Sequence, residues 1–438
     1  MHPVVLSVLY LAILLAPLGL SAALMPRESD VLRELGIGAG LVAYSMLLMQ
    51  FISSGRYEAM SGEAGIDRTM RFHQLTARAA VLLVVAHPLL IVAPDGLDGL
   101  ADASSMLAAL ITRPQMRSGV LALALTLIIV VAGIWRRRLP MRYELWRASH
   151  ALLAAGIALA GAHHTFSTGT YSEHPWLQLF WWLLIAVALG SLGFIYGVKP
   201  FLLLRGAHRV VRVDPLAPGV HEVLLEPARD RPIRFAAGQF AWVTFGGQPI
   251  PVRDNPFSIS SAPTELPRLR LLIKARGDLS GCIGDLPSGT PVYLDAPHGN
   301  FRIEGRAGDA LCLIAGGIGI APVIGILREL AAQRDRRPIG LIYGARNPAL
   351  LVHADEILAL GAQLDLQTRF FVEEPPPGWN GGTGNIDQAA IANALRAAPG
   401  RCLCLACGPT GMMLAVERAL LAAGVPAGQI VYERFDYD

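Results

Sequence analysis

Charged residues are scarce in this chain. Only 16% of its 438 residues are Asp, Glu, Lys or Arg, against roughly a quarter in an ordinary soluble protein. The deficit is concentrated in residues 1–200, whereas residues 205–438 have the mixed composition of a soluble α/β protein. The formal net charge is only +3 and no block of like charges forms a tail, so nucleic-acid binding is not expected as a main task.

Cysteine is also rare. The five cysteines all lie in the second half of the chain, at Cys282, Cys312, Cys402, Cys404 and Cys407. An odd number, with three crowded between 402 and 407, does not indicate a disulfide framework and fits a reducing, cytoplasmic compartment. The C-x-C-x-x-C cluster has no nearby fourth ligand and lacks the plant-type iron–sulfur spacing. Buried cysteines at a strand end are therefore favoured over a metal site.

The first 200 residues are instead rich in long apolar segments. Six of them approach the ~20 residues needed to cross a bilayer, over roughly 3–24, 31–53, 73–93, 118–135, 146–165 and 175–198. The first span could alternatively be a cleaved signal peptide, because Ser21-Ala22-Ala23 is similar to a cleavage site, although no Lys or Arg precedes the apolar run.

Arginines are distributed unevenly among the connecting loops. Residues 54–72 contain three and residues 136–147 contain five, whereas the alternate loops carry two, two and none. The positive-inside rule places both arginine-rich loops and both termini in the cytoplasm. The sequence thus predicts a multi-pass protein of the cell membrane.

Two of these spans each carry a pair of histidines fourteen positions apart, His73 with His87 and His150 with His164. Fourteen residues make almost four helical turns, so each pair shares one helix face with its members about 21 Å apart. An ionisable residue inside a membrane helix is a functional-site hypothesis by default, and two neutral imidazoles are a normal axial pair for haem iron. Facing helices would therefore offer an inner pair, His73 and His150, and an outer pair, His87 and His164.

His163 competes with His164 for the outer position. On a helical wheel His164 lies about 40° from the direction of His150 and His163 about 140°, which favours His164. A single membrane histidine is more often a hydrogen-bonded packing residue, but the repeated spacing at matching depths favours ligation. His163 remains an alternative.

Short apolar runs separated by Gly and Pro fill residues 206–303, a pattern typical of a small β-barrel. Its predicted strands include 220–225, 239–245, 269–275 and 291–294. From residue 308 the pattern changes to alternating strands and helices, which predicts a parallel sheet. Its predicted elements are strands at 309–314 and 339–343 and helices from the glycine turn to about 332 and over 352–360. Glycines at the end of the first strand would let a helix N-terminus approach a pyrophosphate, with a purely structural turn as the alternative.

Four short motifs follow one another in this half: Pro256-Phe257-Ser258-Ile259-Ser260, Gly277-Asp278-Leu279-Ser280, Gly316-Gly317-Ile318-Gly319-Ile320-Ala321-Pro322 and Cys407-Gly408-Pro409. In this order they resemble the ferredoxin–NADP reductase superfamily. Placed after six spans with histidine pairs on the third and fifth, the whole chain resembles the NADPH oxidase/ferric reductase family, and within it the bacterial members without added regulatory domains.

The resemblance implies a multi-domain protein. An all-α transmembrane six-helix bundle with two b-type haems would span residues 1–200. A β-barrel FAD-binding domain would follow over 201–306, and an α/β parallel-sheet nucleotide-binding domain, taking NADPH or NADH, over 307–438.

The resemblance also implies roles around the flavin. Phe257 would lie against the flavin ring, and Ser258 would hydrogen-bond near its reactive N5. Backbone groups around Leu279, Ser280 and Gly281 would hold the FAD pyrophosphate. The rest of the implied FAD site consists of Asn255, Pro256, Ile259, Ser260 and Gly277.

On the nicotinamide side, the dinucleotide would meet Gly316, Gly317 and Gly319. Cys407, Gly408 and Pro409 would lie where the nicotinamide approaches the flavin. Phe435 would cover the other face of the flavin ring, with a core anchor as the alternative. Arg346, just past the second strand, is suited to a bidentate contact with a 2′-phosphate, which favours NADPH over NADH.

The sequence departs from the family pattern in two places. Asn255 stands where His or Arg usually precedes Pro-Phe-Ser, and Gly281 with Cys282 stands where bulkier residues are common. The first departure leaves open which group supports the FAD phosphates or the flavin at this edge, and the second predicts that FAD is held weakly.

The sequence as a whole predicts electron transfer from cytoplasmic NADPH through FAD and two haems to an acceptor on the outer face. Dioxygen and a ferric chelate are the two acceptors considered, with a periplasmic partner protein as a third. The alternative is a transporter or sensor that uses the membrane histidines as a proton relay. The oligomeric state is left open.

Overall fold

The structure is a computed structural model that describes residues 3–57, 65–96, 104–105, 108, 111–169, 171–229 and 233–433. The chain forms two compact units. The first contains most of residues 1–199, and the second contains residues 200–437 together with the short segment 65–67.

Six helices of the first unit are long and apolar enough to cross a membrane. They are α1 (Pro3–Leu24), α2 (Val31–Met49), α3 (Ile66–Gly96), α4 (Arg117–Ile134), α5 (Tyr143–Thr168) and α6 (Pro175–Gly193). The sixth continues through a π-helical turn, Phe194–Val198, into α7 (Lys199–Arg205). Six membrane-spanning helices were predicted, and the structure has them.

Several helix bounds differ from the prediction by three residues or more. The third helix begins at Ile66, whereas the prediction began at residue 73. The first two turns were missed because Asp67, Arg68 and Arg71 make this segment too polar to be recognised by its hydropathy. His73 consequently lies two turns inside α3, not at its start. The second helix ends at Met49 rather than 53.

The interior of the first unit is centred on Tyr44 of α2. Its hydroxyl donates a hydrogen bond to the Ala158 carbonyl at 2.8 Å, and its ring lies 5.1 Å from that of the fully buried Trp181. Gly161 leaves room for the same ring, since a Cβ there would lie 2.5 Å from it. Helices α1 and α4 expose many Leu, Val and Ile side chains, as expected of helices that face lipid.

The second unit begins with an antiparallel barrel. Its strands are β1 (His208–Ala217), β2 (Val220–Pro227), β3 (Phe240–Phe245), β4 (Asn255–Ser258), β5 (Leu269–Lys274) and β6 (Pro291–His298), in the order β4-β3-β6-β1-β2-β5. A bridge between Ile259 and Leu271 joins the two ends of the sheet, so the sheet closes on itself around a core that includes Val223 and Val243. The short helix α8 (Asp278–Gly281) follows β5. The predicted barrel is confirmed.

A six-stranded parallel sheet follows. Its strands are β7 (Ala310–Gly316), β8 (Ile339–Ala345), β9 (Leu366–Val372), β10 (Gly382–Thr383), β11 (Cys402–Cys407) and β12 (Ile430–Glu433). Its helices are α9 (Ile320–Ala332), α10 (Ala354–Leu360), α11 (Gln388–Ala397) and α12 (Thr410–Ala422). Every residue of β7 and β11 is buried, as expected for the centre of a parallel sheet covered on both faces.

The strand order is β10-β9-β8-β7-β11-β12. The chain therefore winds outwards from β7 in one direction and from β11 in the other. In open parallel sheets this reversal leaves a crevice at the carboxyl ends of the two central strands, where ligands bind. The predicted parallel sheet is confirmed, and the reversal directs attention to residues 316–319 and 407–409.

Candidate cofactor-binding sites

The backbones at the ends of β7 and β11 lie close together, because the residues that follow these strands include glycines without side chains. A Cβ at Gly319 would lie 2.2 Å from the Cys407 carbonyl oxygen, and one at Gly408 would lie 3.2 Å from the Gly316 Cα. Gly317 has a positive φ of 54° and faces open space. The result is a smooth surface in front of the first turn of α9, which suits a pyrophosphate.

Cys407 reaches this crevice through its backbone only. The side chain is 3% exposed and packs in the core of the sheet. Burial, together with the nearby Glu433 carboxylate, raises the pKa of the Cys407 thiol, so this thiol is neutral at physiological pH. Cys312, Cys402 and Cys404 are likewise buried free thiols on β7 and β11.

The flavin-side motif forms strand β4, which pairs with β3 so that Phe257 lies opposite Ala241. The Phe257 ring is half-buried and lies 6.2 Å from the Phe245 ring. Asn255 and Pro256 are also half-buried, and the Asn255 amide donates to the Arg253 carbonyl at 3.1 Å. These side chains therefore keep surface available to a ligand, while Ser258 is 7% exposed.

The last two residues of the same motif turn inwards. Ile259 and Ser260 have no exposed surface, and their amides donate to the carbonyls of Gln239 and Arg270. Closure of the barrel at this point explains their burial. Neither side chain is available to a cofactor in this arrangement, so the part of the motif suited to FAD is residues 255–258.

A serine hydroxyl organises the loop assigned to the FAD pyrophosphate. The Ser280 Oγ accepts hydrogen bonds from the amides of Arg276 and Gly277 at 2.9 and 3.0 Å. A Cβ at Gly281 would meet no atom within 4 Å, so the loop is open to solvent. The side chain of Leu279 and the whole of Phe435 lie outside the described residues, and their roles stay predictions.

Arg346 has a partner that the sequence did not reveal. It follows β8, is largely exposed, and forms an ion pair with Glu374 at 2.8 Å. Glu374 follows β9, the neighbouring parallel strand, and its amide donates to the Arg346 carbonyl. The rule that parallel strands end side by side could have suggested this pair.

A buried ionic cluster, also missed from the sequence, joins the barrel to the α/β domain. It consists of Glu222 on β2, Arg328 on α9, His353, and Glu356 on α10. Arg328 donates to the Ser260 carbonyl at 2.7 Å and to both oxygens of Glu356 at 2.6 and 2.8 Å. His353 lies 3.3 Å from Glu222 and 2.9 Å from Glu356.

The carboxylates of this ionic cluster set its protonation. Burial alone would lower the pKa of His353, but the adjacent carboxylates of Glu222 and Glu356 outweigh it and raise the pKa. Burial likewise would raise the pKa of Glu356, yet His353 and Arg328 hold it at about 2. The cluster therefore carries opposite charges within a buried contact between the two domains.

The outer histidine pair comes together in the first unit. The ring centroids of His87 and His164 are 6.3 Å apart, with the planes 76° from parallel. A metal bonded at about 2 Å to one nitrogen of each ring would set the centroids about 6 Å apart, so this spacing fits a bis-histidine haem iron. His163 is exposed and contacts the Ser118 hydroxyl at 3.0 Å instead.

Glycines make room for both outer rings. A Cβ at Gly40 on α2 would lie 2.7 Å from the Nδ1 of His87, and a Cβ at Gly119 on α4 would lie 2.7 Å from that of His164. The His87 Nδ1 is also 2.7 Å from the Gly36 carbonyl oxygen. Because a carbonyl only accepts, this Nδ1 carries the proton, and Nε2 is left as the nitrogen able to bind metal.

The two histidines of the predicted inner pair have different surroundings. The His150 Nδ1 is buried without a hydrogen bond among the described residues, and a buried polar atom of this kind calls for an explanation such as a ligand. The Trp146 ring lies 5.2 Å from the His150 ring. His73 contacts the Ser53 hydroxyl through Nδ1 at 3.4 Å.

The fold and these sites define a multi-pass membrane oxidoreductase with a flavin- and NAD(P)H-binding module. Residues 39–161 match the ferric reductase like transmembrane component family, and residues 313–418 match the oxidoreductase NAD-binding domain family. The chain belongs to the ferric reductase/NADPH oxidase-like family, in which such a transmembrane domain precedes a ferredoxin reductase-like module.

Several relatives match the second unit. The NAD(P)H-flavin reductase of Vibrio harveyi is 32% identical over 190 residues, which cover 41% of this chain and 78% of the relative. The propane 2-monooxygenase reductase component of Rhodococcus jostii (strain RHA1) is 29% identical over 52% of this chain, and only 62% of its own length is matched. The FAD/NAD-binding domain of a nitric oxide dioxygenase from Vibrio cholerae has 23% identity and a TM-score of 0.47, covering 52% of this chain and 98% of that domain.

Proposed function

We propose that this protein transfers electrons from NADPH to an acceptor on the far side of a membrane, with FAD and two b-type haems as its redox cofactors. The observation that carries the proposal is the 6.3 Å spacing of the His87 and His164 rings in a chain that also contains a flavin reductase-like module. When bound, FAD accepts hydride and the haems pass single electrons.

The residues of the chain hold and orient these groups. Gly316, Gly317 and Gly319 offer backbone to the nicotinamide dinucleotide, and Phe257 with Ser258 flanks the flavin.

The histidines would hold the haems, His73 with His150 at the inner haem and His87 with His164 at the outer haem, through neutral imidazole nitrogens. The arginine-rich loops support a cytoplasmic position for the inner haem and for the second unit in this proposal. The acceptor then lies on the outer face, as dioxygen, which would yield superoxide, or as a ferric chelate.

The choice between NADPH and NADH depends on the Arg346–Glu374 ion pair, because Glu374 competes with a 2′-phosphate for the same guanidinium. Glu374→Gln should raise the ratio of kcat/KM for NADPH over NADH by about 1.5- to 5-fold, since an exposed ion pair is only weakly held in water. Steady-state flavin-dependent oxidation of both nucleotides measures this ratio.

Glu373→Gln is the matched control for that change, because Glu373 is exposed and adjacent and loses the same charge. Its ratio should change clearly less than that of Glu374→Gln, because Glu373 affects Arg346 only through its charge and forms no ion pair with it. If the two variants change the ratio equally, the effect is due to net charge alone, and Glu374 has no specific role in the choice of nucleotide.

The decisive experiment for the proposed function is a reduced-minus-oxidised spectrum of the purified protein with haem and FAD quantified per chain. Two low-spin b-type haems and one FAD are expected. A protein without haem bands would favour the proton-relay alternative. Addition of NADPH with superoxide-specific and ferrous-specific reporters side by side then identifies the acceptor.

A further inference from the structure

Thr168, the last residue of α5, lies one helical turn beyond His164. Its Oγ1 is 2.7 Å from the His164 carbonyl oxygen and 3.0 Å from the His164 Nδ1. Two oxygens at 2.7 Å repel unless a proton lies between them, and the carbonyl has none to give. The single hydroxyl proton of Thr168 therefore goes to the carbonyl.

This assignment fixes the imidazole. Since the hydroxyl proton is already donated, the Thr168 Oγ1 contacts Nδ1 as an acceptor, and Nδ1 must carry the proton. The Nε2 of His164 is then the unprotonated nitrogen, as it is in His87, whose Nδ1 faces the Gly36 carbonyl. Both outer imidazoles are thereby prepared to bind through Nε2.

The His87 and His164 rings differ in the group that their Nδ1 atoms contact. His87 is held by a main-chain carbonyl, which no substitution at Gly36 removes, whereas His164 is held by a side-chain hydroxyl. We infer that Thr168 is a positioning residue that fixes the tautomer and orientation of His164 and tunes its strength as a ligand of the outer haem. This role rests on the proposed function.

Thr168→Val tests the role because it removes the hydroxyl and keeps the branched shape. Loss of an outer-shell partner of a ligating histidine typically costs about 10- to 100-fold in metal-site affinity. We expect a comparable loss of affinity for the outer haem and a more positive midpoint potential of whatever haem remains, since Nδ1–H would no longer make the ring a stronger donor. Redox titration, haem quantification and the electron paramagnetic resonance of the ferric haem provide the readouts.

Two further variants separate this role from damage to the helix. Thr168→Ser retains the hydroxyl and should restore the affinity, the potential and the resonance positions. Ser167→Ala removes the neighbouring hydroxyl, which donates to the His163 carbonyl, and should leave all three unchanged. Reduction of FAD by NADPH should be the same in all three variants.

Two results would overturn the inference in different ways. If the unmodified protein binds two haems and Thr168→Val keeps both with unchanged affinity and potential, the role of Thr168 is wrong while the proposed function stands. If the unmodified protein binds no outer haem, the proposed function fails and the role of Thr168 fails with it.

Discussion

The variants His87→Ala and His164→Ala should each lose the outer haem, so that the haem content falls from two to one per chain. In our proposal the two rings, 6.3 Å apart, would hold this haem together, so removal of either ring leaves only one of its two protein ligands. Reduction of FAD by NADPH should keep its rate, because that step belongs to the second unit. Haem quantification and stopped-flow flavin reduction measure the two effects separately.

His163→Ala is the matched control for this prediction. Its ring is exposed and contacts Ser118, so both haems should be retained. The opposite pattern, with haem lost in His163→Ala and kept in His164→Ala, would transfer the ligand assignment to His163. Unchanged haem content in His87→Ala and His164→Ala would remove the outer site altogether.

Arg328→Met should strongly destabilise the second unit. The side chain of Arg328 is only 7% exposed and lies, together with His353, between the carboxylates of Glu356 and Glu222. Removal of one partner of a buried ion pair typically costs about 3–5 kcal/mol, because the remaining charge is left unpaired. The lower end of this range is expected here, since Glu356 is about one-third exposed.

The temperature at which FAD is released, followed by flavin fluorescence on the full protein, measures this loss. A change of 1 kcal/mol shifts Tm by about 2–4 °C in a domain of this size, so a decrease of roughly 6–12 °C is expected. Arg337→Met is the control, because Arg337 pairs locally with Asp335 at 2.7 Å and should shift Tm by only a few degrees. Equal shifts in both variants would contradict a special role of the ionic cluster.

Local patterns were sufficient to predict most of the fold. Hydropathy located the six spans, and Gly/Pro punctuation with alternating runs located the barrel and the parallel sheet. The glycines near 316–319 were also predictable, because close approach of two backbones excludes every side chain larger than hydrogen. The early start of α3 was missed, since Asp67, Arg68 and Arg71 reduce the apolar signal without breaking the helix.

Features that join distant elements were not predictable in the same way. Glu222 and Arg328 come from different domains, and no spacing rule connects them. Ile259 and Ser260 looked like ligand-contacting residues until closure of the barrel buried them. Thr168 was overlooked because α5 continues three residues past the predicted span. The angular argument for His164 over His163, in contrast, depended only on helical geometry, and the structure pairs His164 with His87.

The burial of four of the five cysteine thiols allows selective chemical labelling of the fifth. Cys282 is exposed, whereas Cys312, Cys402, Cys404 and Cys407 are all buried. A membrane-impermeant maleimide should therefore react with the folded native sequence at a single position. Because Cys282 belongs to the second unit, reaction in intact cells or only after the membrane is opened reports directly which side of the membrane that unit occupies, without any engineered cysteine.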